Sequence, residues 1–165
     1  KAKELIKLVG LDESYLDKSP FELSGGEMRK VALCGVLALE PKVLILDEPT
    51  VALDYQSREE IMAMVKRLKE EFDMTIVLVT HNMDYVLEYA DKVFVLKNGE
   101  ISFEGKVEDL FLNEQVLKEN SLELPEVLKF YKKLEANNIV LDVFPRKYEE
   151  LINALKNKIG SSRNE

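Results

Sequence analysis

The chain has 165 residues, 46% of them hydrophobic and 33% charged, with a formal net charge of −8. That length supports one good core or a core with a small appendage, the composition excludes a disordered chain, and the acidic balance argues against a nucleic-acid-binding surface. One cysteine, Cys34, cannot form an internal disulfide, and the longest apolar run, Val31 to Leu39, is far too short to span a bilayer. No secretory signal opens the sequence, so the expectation is a cytoplasmic protein that reaches a membrane only by docking onto something else.

Lys1 to Val9 has the apolar spacing of a helix, and Gly10 is a natural stop. The chain is expected to begin inside that helix and to be the C-terminal portion of something longer. Leu11 to Phe21 reads as a polar connection. In Leu23-Ser24-Gly25-Gly26-Glu27, Ser24 and Glu27 form a capping box that opens a helix running to Leu39, before Pro41. A glycine pair at a helix start also leaves backbone N–H groups open to an anion. Val43 to Leu46 fits a short strand buried on both faces, and it stops at the adjacent carboxylates Asp47 and Glu48. Two acids at the carboxyl end of a strand can serve a metal ion and a water molecule, although a core strand leaving for a solvated loop looks the same.

Ser57 and Glu60 suggest a second capping box, opening a helix with Ile61, Met64, Val65, Leu68 and Phe72 on one face. Ile76 to Val79 is another buried strand, ended by Thr80-His81-Asn82. Strand, helix, strand makes the two strands parallel, with both carboxyl ends at one edge. That topology is expected to bring His81, the single histidine, to Asp47 and Glu48. A short helix (Met83, Val86, Leu87, Ala90), a hairpin turning at Asn98-Gly99 and a further helix at Val107 follow. From Asn113 the chain is charged and mainly helical, with Pro125 at a first helical position, stripes at Val127, Leu128, Tyr131 and Leu134 and at Tyr148, Leu151, Ile152, Leu155 and Ile159, and an extended piece at 139–143. These stripes pack on the preceding domain or meet another chain. Gly160 onward reads as a frayed tail.

Taken together, Leu23 to Glu27, the Val43 to Glu48 strand with Pro49, Val51-Ala52-Leu53-Asp54 and His81 resemble, in this order, the signature motif, Walker B motif, D-loop and switch histidine of ATP-binding cassette (ABC) ATPases. The resemblance covers residues 1–112. Phe144-Pro145 leading into Tyr148-Glu149-Glu150-Leu151 is similar to the dimerising tail of energy-coupling-factor transporter ATPases. The implied fold is α/β: the C-terminal part of a P-loop NTPase sheet with helices (1–112), then a small helical dimerisation-type domain (113–165). The resemblance implies that Asp47 holds Mg²⁺ through water, Glu48 polarises the attacking water and His81 holds the γ-phosphate. It implies that Ser24, Gly25, Gly26, Glu27 and Asp54 face ATP bound by a partner cassette. It also implies a second ABC ATPase and integral membrane transporter subunits as partners, a place on the inner face of the cell membrane, and import of a vitamin or a transition-metal ion.

Two departures stand out. The family's glutamine is Glu27, so either nucleotide binds less tightly beside the added carboxylate or Glu27 turns away to cap. No Gly-x-x-x-x-Gly-Lys-Ser/Thr phosphate loop occurs in these residues, so the 165 residues alone are expected to be inactive. Two other readings stay open: a chromosome- or ribosome-associated cassette, and a non-catalytic fragment that only self-associates.

Overall fold

In the computed structural model, which describes residues 1–161, the aliphatic run ahead of the two acids is a strand, β1 (Val43–Asp47). It pairs in parallel with β2 (Thr75–Val79), Leu44 opposite Ile76 and Asp47 opposite Val79. Helix α3 (Tyr55–Phe72) makes the crossover, so both strands end at one edge. With α1 (Ala2–Leu8) and α2 (Gly25–Leu37), these elements form a first unit, Lys1–Val79. Its core gathers Ile6, Leu33 and Leu37 around Leu44, and Ile61, Met64, Val65 and Leu68 from α3.

The strand is covered on one side, not on both. Leu44, Leu46 and Ile76 face the helices. On the other side Ile45 is 67% exposed, and Val43, Val77 and Val79 are exposed with it. The helical start after β1 also differs from expectation. Asp54, not Ser57, caps α3: its carboxylate accepts the Ser57 N–H at 2.9 Å and the Ser57 hydroxyl at 2.6 Å. Glu60 pairs instead with Lys30 of α2 and accepts from Gln56. An ionised carboxylate is a stronger acceptor than a serine hydroxyl, so the cap moves toward the strand. At the far end Phe72 leaves the buried stripe and is exposed, while Met62 is fully buried. The connection after Gly10 carries two short 3-10 helices, Glu13–Asp17 and Pro20–Glu22, capped by Asp12 and Ser19.

The second unit, Thr80–Glu165, is built on an antiparallel hairpin of β3 (Lys92–Lys97) and β4 (Glu100–Lys106). Its turn residues Asn98 (φ 53°) and Gly99 (φ 82°) have the left-handed backbone that a two-residue hairpin needs. Helices α4 (Met83–Tyr89), α5 (Val107–Leu112), α6 (Glu114–Glu119), α7 (Glu126–Ala136) and α8 (Tyr148–Ser161) complete it. One core joins Val86, Leu87, Val95, Val107, Leu110 and Phe111 to Val127, Leu128, Tyr131, Leu141 and Leu151 of the tail. These tail residues therefore pack within the chain, whereas Phe130, Tyr148, Ile152 and Ile159 stay exposed. Arg146 fixes the turn into α8, donating to Glu108 at 2.6 Å and to the Ala90 carbonyl at 2.8 Å. Pro125 caps α7 instead of opening it, and residues 139–143 form no strand. Helix α8 continues through Gly160 and Ser161, where fraying was expected; the rest of that tail lies outside the described residues. No helix among the described residues is long and apolar enough to cross a membrane.

Candidate functional site

Ser24 has extended backbone and caps α2, as its sequence predicts. Its hydroxyl accepts the Glu27 N–H at 3.3 Å, and the Glu27 carboxylate accepts the Ser24 N–H at 2.7 Å. The second Glu27 oxygen accepts the Tyr15 hydroxyl at 2.5 Å, and Lys18 lies 3.6 Å over the Tyr15 ring. Of the two outcomes expected for Glu27, the structure has the capping one: both carboxylate oxygens are engaged with the chain. The Tyr15 hydroxyl, followed by the Ser24 N–H, holds the carboxyl down at about 2. The two glycines differ. A Cβ on Gly25 would meet open space, whereas one on Gly26 would lie 2.8 Å from the Ser57 hydroxyl of α3. Gly25 is thus the exposed member of the pair and Gly26 a packing residue.

At the carboxyl end of β1, Asp47 is exposed and Glu48 half-buried. The Glu48 N–H extends the sheet by donating to the Val79 carbonyl at 2.9 Å, and its backbone then turns to φ 43°. A tight loop follows, with Pro49 and Thr50 buried and Ala52 at φ 61°. It closes on Asp54, whose carboxyl is lowered by the Ser57 hydroxyl and N–H that it accepts. Arg29, two residues past the capping box, donates from Nη1 to the carbonyls of Pro49 (2.7 Å) and Val51 (2.9 Å). Arg58 donates to the Leu53 carbonyl at 2.7 Å.

Within the first unit the structure brings Ser24, Gly25, Gly26, Glu27, Asp47, Glu48 and Asp54 onto one framework of α2, β1 and α3. His81 follows Val79 by two residues, is the second residue of the second unit and is exposed. Its neighbour Asn82 caps α4, accepting from the N–H groups of Asp84 and Tyr85. Among the described residues no three acidic, histidine or cysteine side chains cluster as a metal cage. A Mg²⁺ ion bound chiefly by phosphate and water needs only one or two carboxylates, a donor set that Asp47 fits. Sequence reading passed over Arg29, Tyr15 and Asp54's cap. For Asp54 the signal was available, an acid three residues before a serine, but the Ser57-Glu60 pair matched a better-known pattern.

Comparison with known proteins agrees with the motifs. The ABC transporter family matches over residues 1–51. The energy-coupling factor transporter ATP-binding protein EcfA2 of Enterococcus faecalis is 50% identical over 158 residues, covering 96% of this chain and 55% of its own length. Among solved structures, cbiO1 from Clostridium perfringens, described as part of the ABC transporter complex cbiONQ, is 37% identical with a TM-score of 0.62, over 79% of this chain and 52% of that one. The ATP-binding cassette MJ0796, in a dimeric post-hydrolysis state bound to ADP and Pi, is 36% identical with a TM-score of 0.56, over 63% and 44%. The chain spans about half the length of the curated relatives it matches. Over the residues it spans, this chain is similar to the ABC transporter ATP-binding proteins.

Proposed function

We propose that these residues are the C-terminal part of the ATP-hydrolysing subunit of an ABC importer of the energy-coupling-factor type. The observation that carries the reading is the first unit's framework: an open helix start at Ser24-Gly25 and a strand ending in Asp47-Glu48, held together by α3 and Arg29. The names of the E. faecalis and C. perfringens relatives support the same reading.

In this reading the chain's residues divide the work. Asp47 holds Mg²⁺, which when bound supplies charge to the phosphates. Glu48 orients and polarises the attacking water, and His81 holds the γ-phosphate. Loss of such a group costs on the order of 100-fold in rate. Ser24 and Gly25 present the α2 N-terminus to ATP carried by a second cassette, identical or paired, with Gly26 and Glu27 fixing that helix start and Asp54 at the same interface. The dimer seen for MJ0796 supports two cassettes acting together. Residues 1–112 are the cassette portion. Residues 113–165 add adhesion between cassettes, a role suited to the exposed Phe130, Tyr148, Ile152 and Ile159. The protein acts from the cytoplasm on the inner membrane face, against integral transporter subunits, in the uptake of a vitamin or transition-metal ion.

These residues hold no phosphate loop, so the isolated chain is inactive in this reading. The test is Mg·ATP turnover by the 165 residues and by the longer protein that contains them. The expected result is none from the first, and turnover from the second that falls by at least about 100-fold in Glu48→Gln. Turnover by the isolated chain, or a Glu48→Gln protein as active as its parent, overturns it.

A further inference from the structure

The loop between β1 and α3 is held in a conformation it does not favour by itself. Glu48 and Ala52 both have positive φ without being glycine, a backbone state that persists only where the surroundings impose it. The loop's own turn bonds are long, Val51 N–H to Glu48 at 3.2 Å and Leu53 N–H to Thr50 at 3.3 Å. The shorter bonds come from outside it: Arg58 of α3 donates to the Leu53 carbonyl at its far end, and Arg29 Nη1 donates to the carbonyls of Pro49 and Val51, between the two strained residues. One guanidinium nitrogen carries two N–H groups, so each carbonyl receives its own donor. Arg29 stands on α2, the helix that Ser24 caps. That helix is seated against α3 by Gly26, where no Cβ fits beside Ser57, and by the Lys30–Glu60 pair.

We propose that Arg29 is a positioning residue for hydrolysis: it fastens the helix that meets one nucleotide to the loop that carries Glu48. Because Arg29 bonds α2 to the stretch between Glu48 and Ala52, seating a nucleotide on Ser24-Gly25 bears on the place of the Glu48 carboxylate through this side chain. The inference rests on the ATPase reading above and adds to it a route between the helix start and the strand end of the same chain. It predicts a defect in turnover with little change in nucleotide binding.

The test uses the longer protein assembled with its partner cassette, with Mg·ATP as the probe. Arg29→Met, of similar length but without donors, should lower kcat at least about tenfold while moving KM for ATP less than about threefold. Without nucleotide, the Val51 and Leu53 amides should exchange with solvent at least about tenfold faster. Arg29→Lys, which keeps the charge and a donor on a shorter reach, should recover part of both effects. An Arg29→Met protein with parental kcat, a KM change with kcat intact, or unaltered amide exchange overturns the proposal, as does Arg29→Lys performing no better than Arg29→Met. A parent that does not turn over ATP overturns the hydrolysis reading, and with it the role of Arg29 in hydrolysis. The two amides still decide whether Arg29 holds the loop.

Discussion

The two units each contain a two-stranded sheet, and they complete it differently. In residues 80–165 the strands are neighbours in sequence, joined by Asn98-Gly99, and helices before and after the hairpin close a core around Phe111. In residues 1–79 the strands are parallel, so an 18-residue helix must connect them, and one sheet face keeps Val43, Ile45, Val77 and Val79 exposed. Parallel sheets are otherwise found with both faces covered. The less complete unit is the one that holds Asp47 and Glu48, the two acids proposed for hydrolysis. A parallel crossover stacks strand ends at one edge, which is how Asp47 and Glu48 come to lie beside the end of β2. The hairpin sends its strand ends in opposite directions and gathers no such edge.

The largest effects should come from breaking each core separately. Phe111→Ala removes a fully buried ring from the second unit and should cost about 3–5 kcal/mol; Leu68→Ala in the first should cost about 2–5 kcal/mol. The two cores are made of different residues. Denaturant unfolding followed by amide exchange should therefore find the Phe111→Ala loss in residues 80–161 and the Leu68→Ala loss in 1–79. Equal loosening of both units by either variant would show that the comparison divides the chain wrongly.

A smaller effect separates structure from chemistry inside the helix start. Gly26→Ala forces the Ser57 hydroxyl off Asp54 and should destabilise by about 1 kcal/mol, and adding Ser57→Ala, which removes the same hydroxyl, should cost little more. Gly25→Ala meets nothing and should stay within about 0.5 kcal/mol of the parent in thermal unfolding. In the longer protein, Gly25→Ala should instead raise KM for ATP, since the added methyl group stands where nucleotide is proposed to approach. A stable Gly26→Ala and an unstable Gly25→Ala would reverse these assignments.

How much of this was legible beforehand follows from the range of each interaction. The Ser24–Glu27 box, the Asn98-Gly99 turn and the βαβ order are set within a few residues or by chain connectivity, so pattern alone reveals them. Burial of β1 on both faces was a statement about partners, and Val43 and Ile45 have none within the described residues that cover them. Asp54 displaced Ser57 as a cap because a charged acceptor competed locally. Arg29 and Tyr15 were invisible for another reason. Their partners are 20 and 12 positions away, and no periodicity marks an arginine that bonds to backbone carbonyls or a tyrosine that bonds to a carboxylate.

The smallest effect concerns pH. Glu27 titrates near 2 in the fold against an ordinary value of 4.5, mainly because Tyr15 donates to it, with the Ser24 N–H next. A lowered folded value means that the Glu27 contribution is fully present above pH 4.5 and is lost as pH falls from there toward 2. Global unfolding against pH would not isolate it, since Asp12, Glu13, Asp54 and Glu60 are lowered as well. The discriminating measurement is the carboxyl ¹³C shift of Glu27 followed by NMR. In the parent it should remain ionised to about pH 2. In Tyr15→Phe it should titrate between that value and 4.5, because the capping N–H stays while the hydroxyl is gone. A Tyr15→Phe curve superimposed on the parent's would mean that the helix cap alone holds the charge, and the contrast between this glutamate and the family's glutamine would then reside entirely in α2.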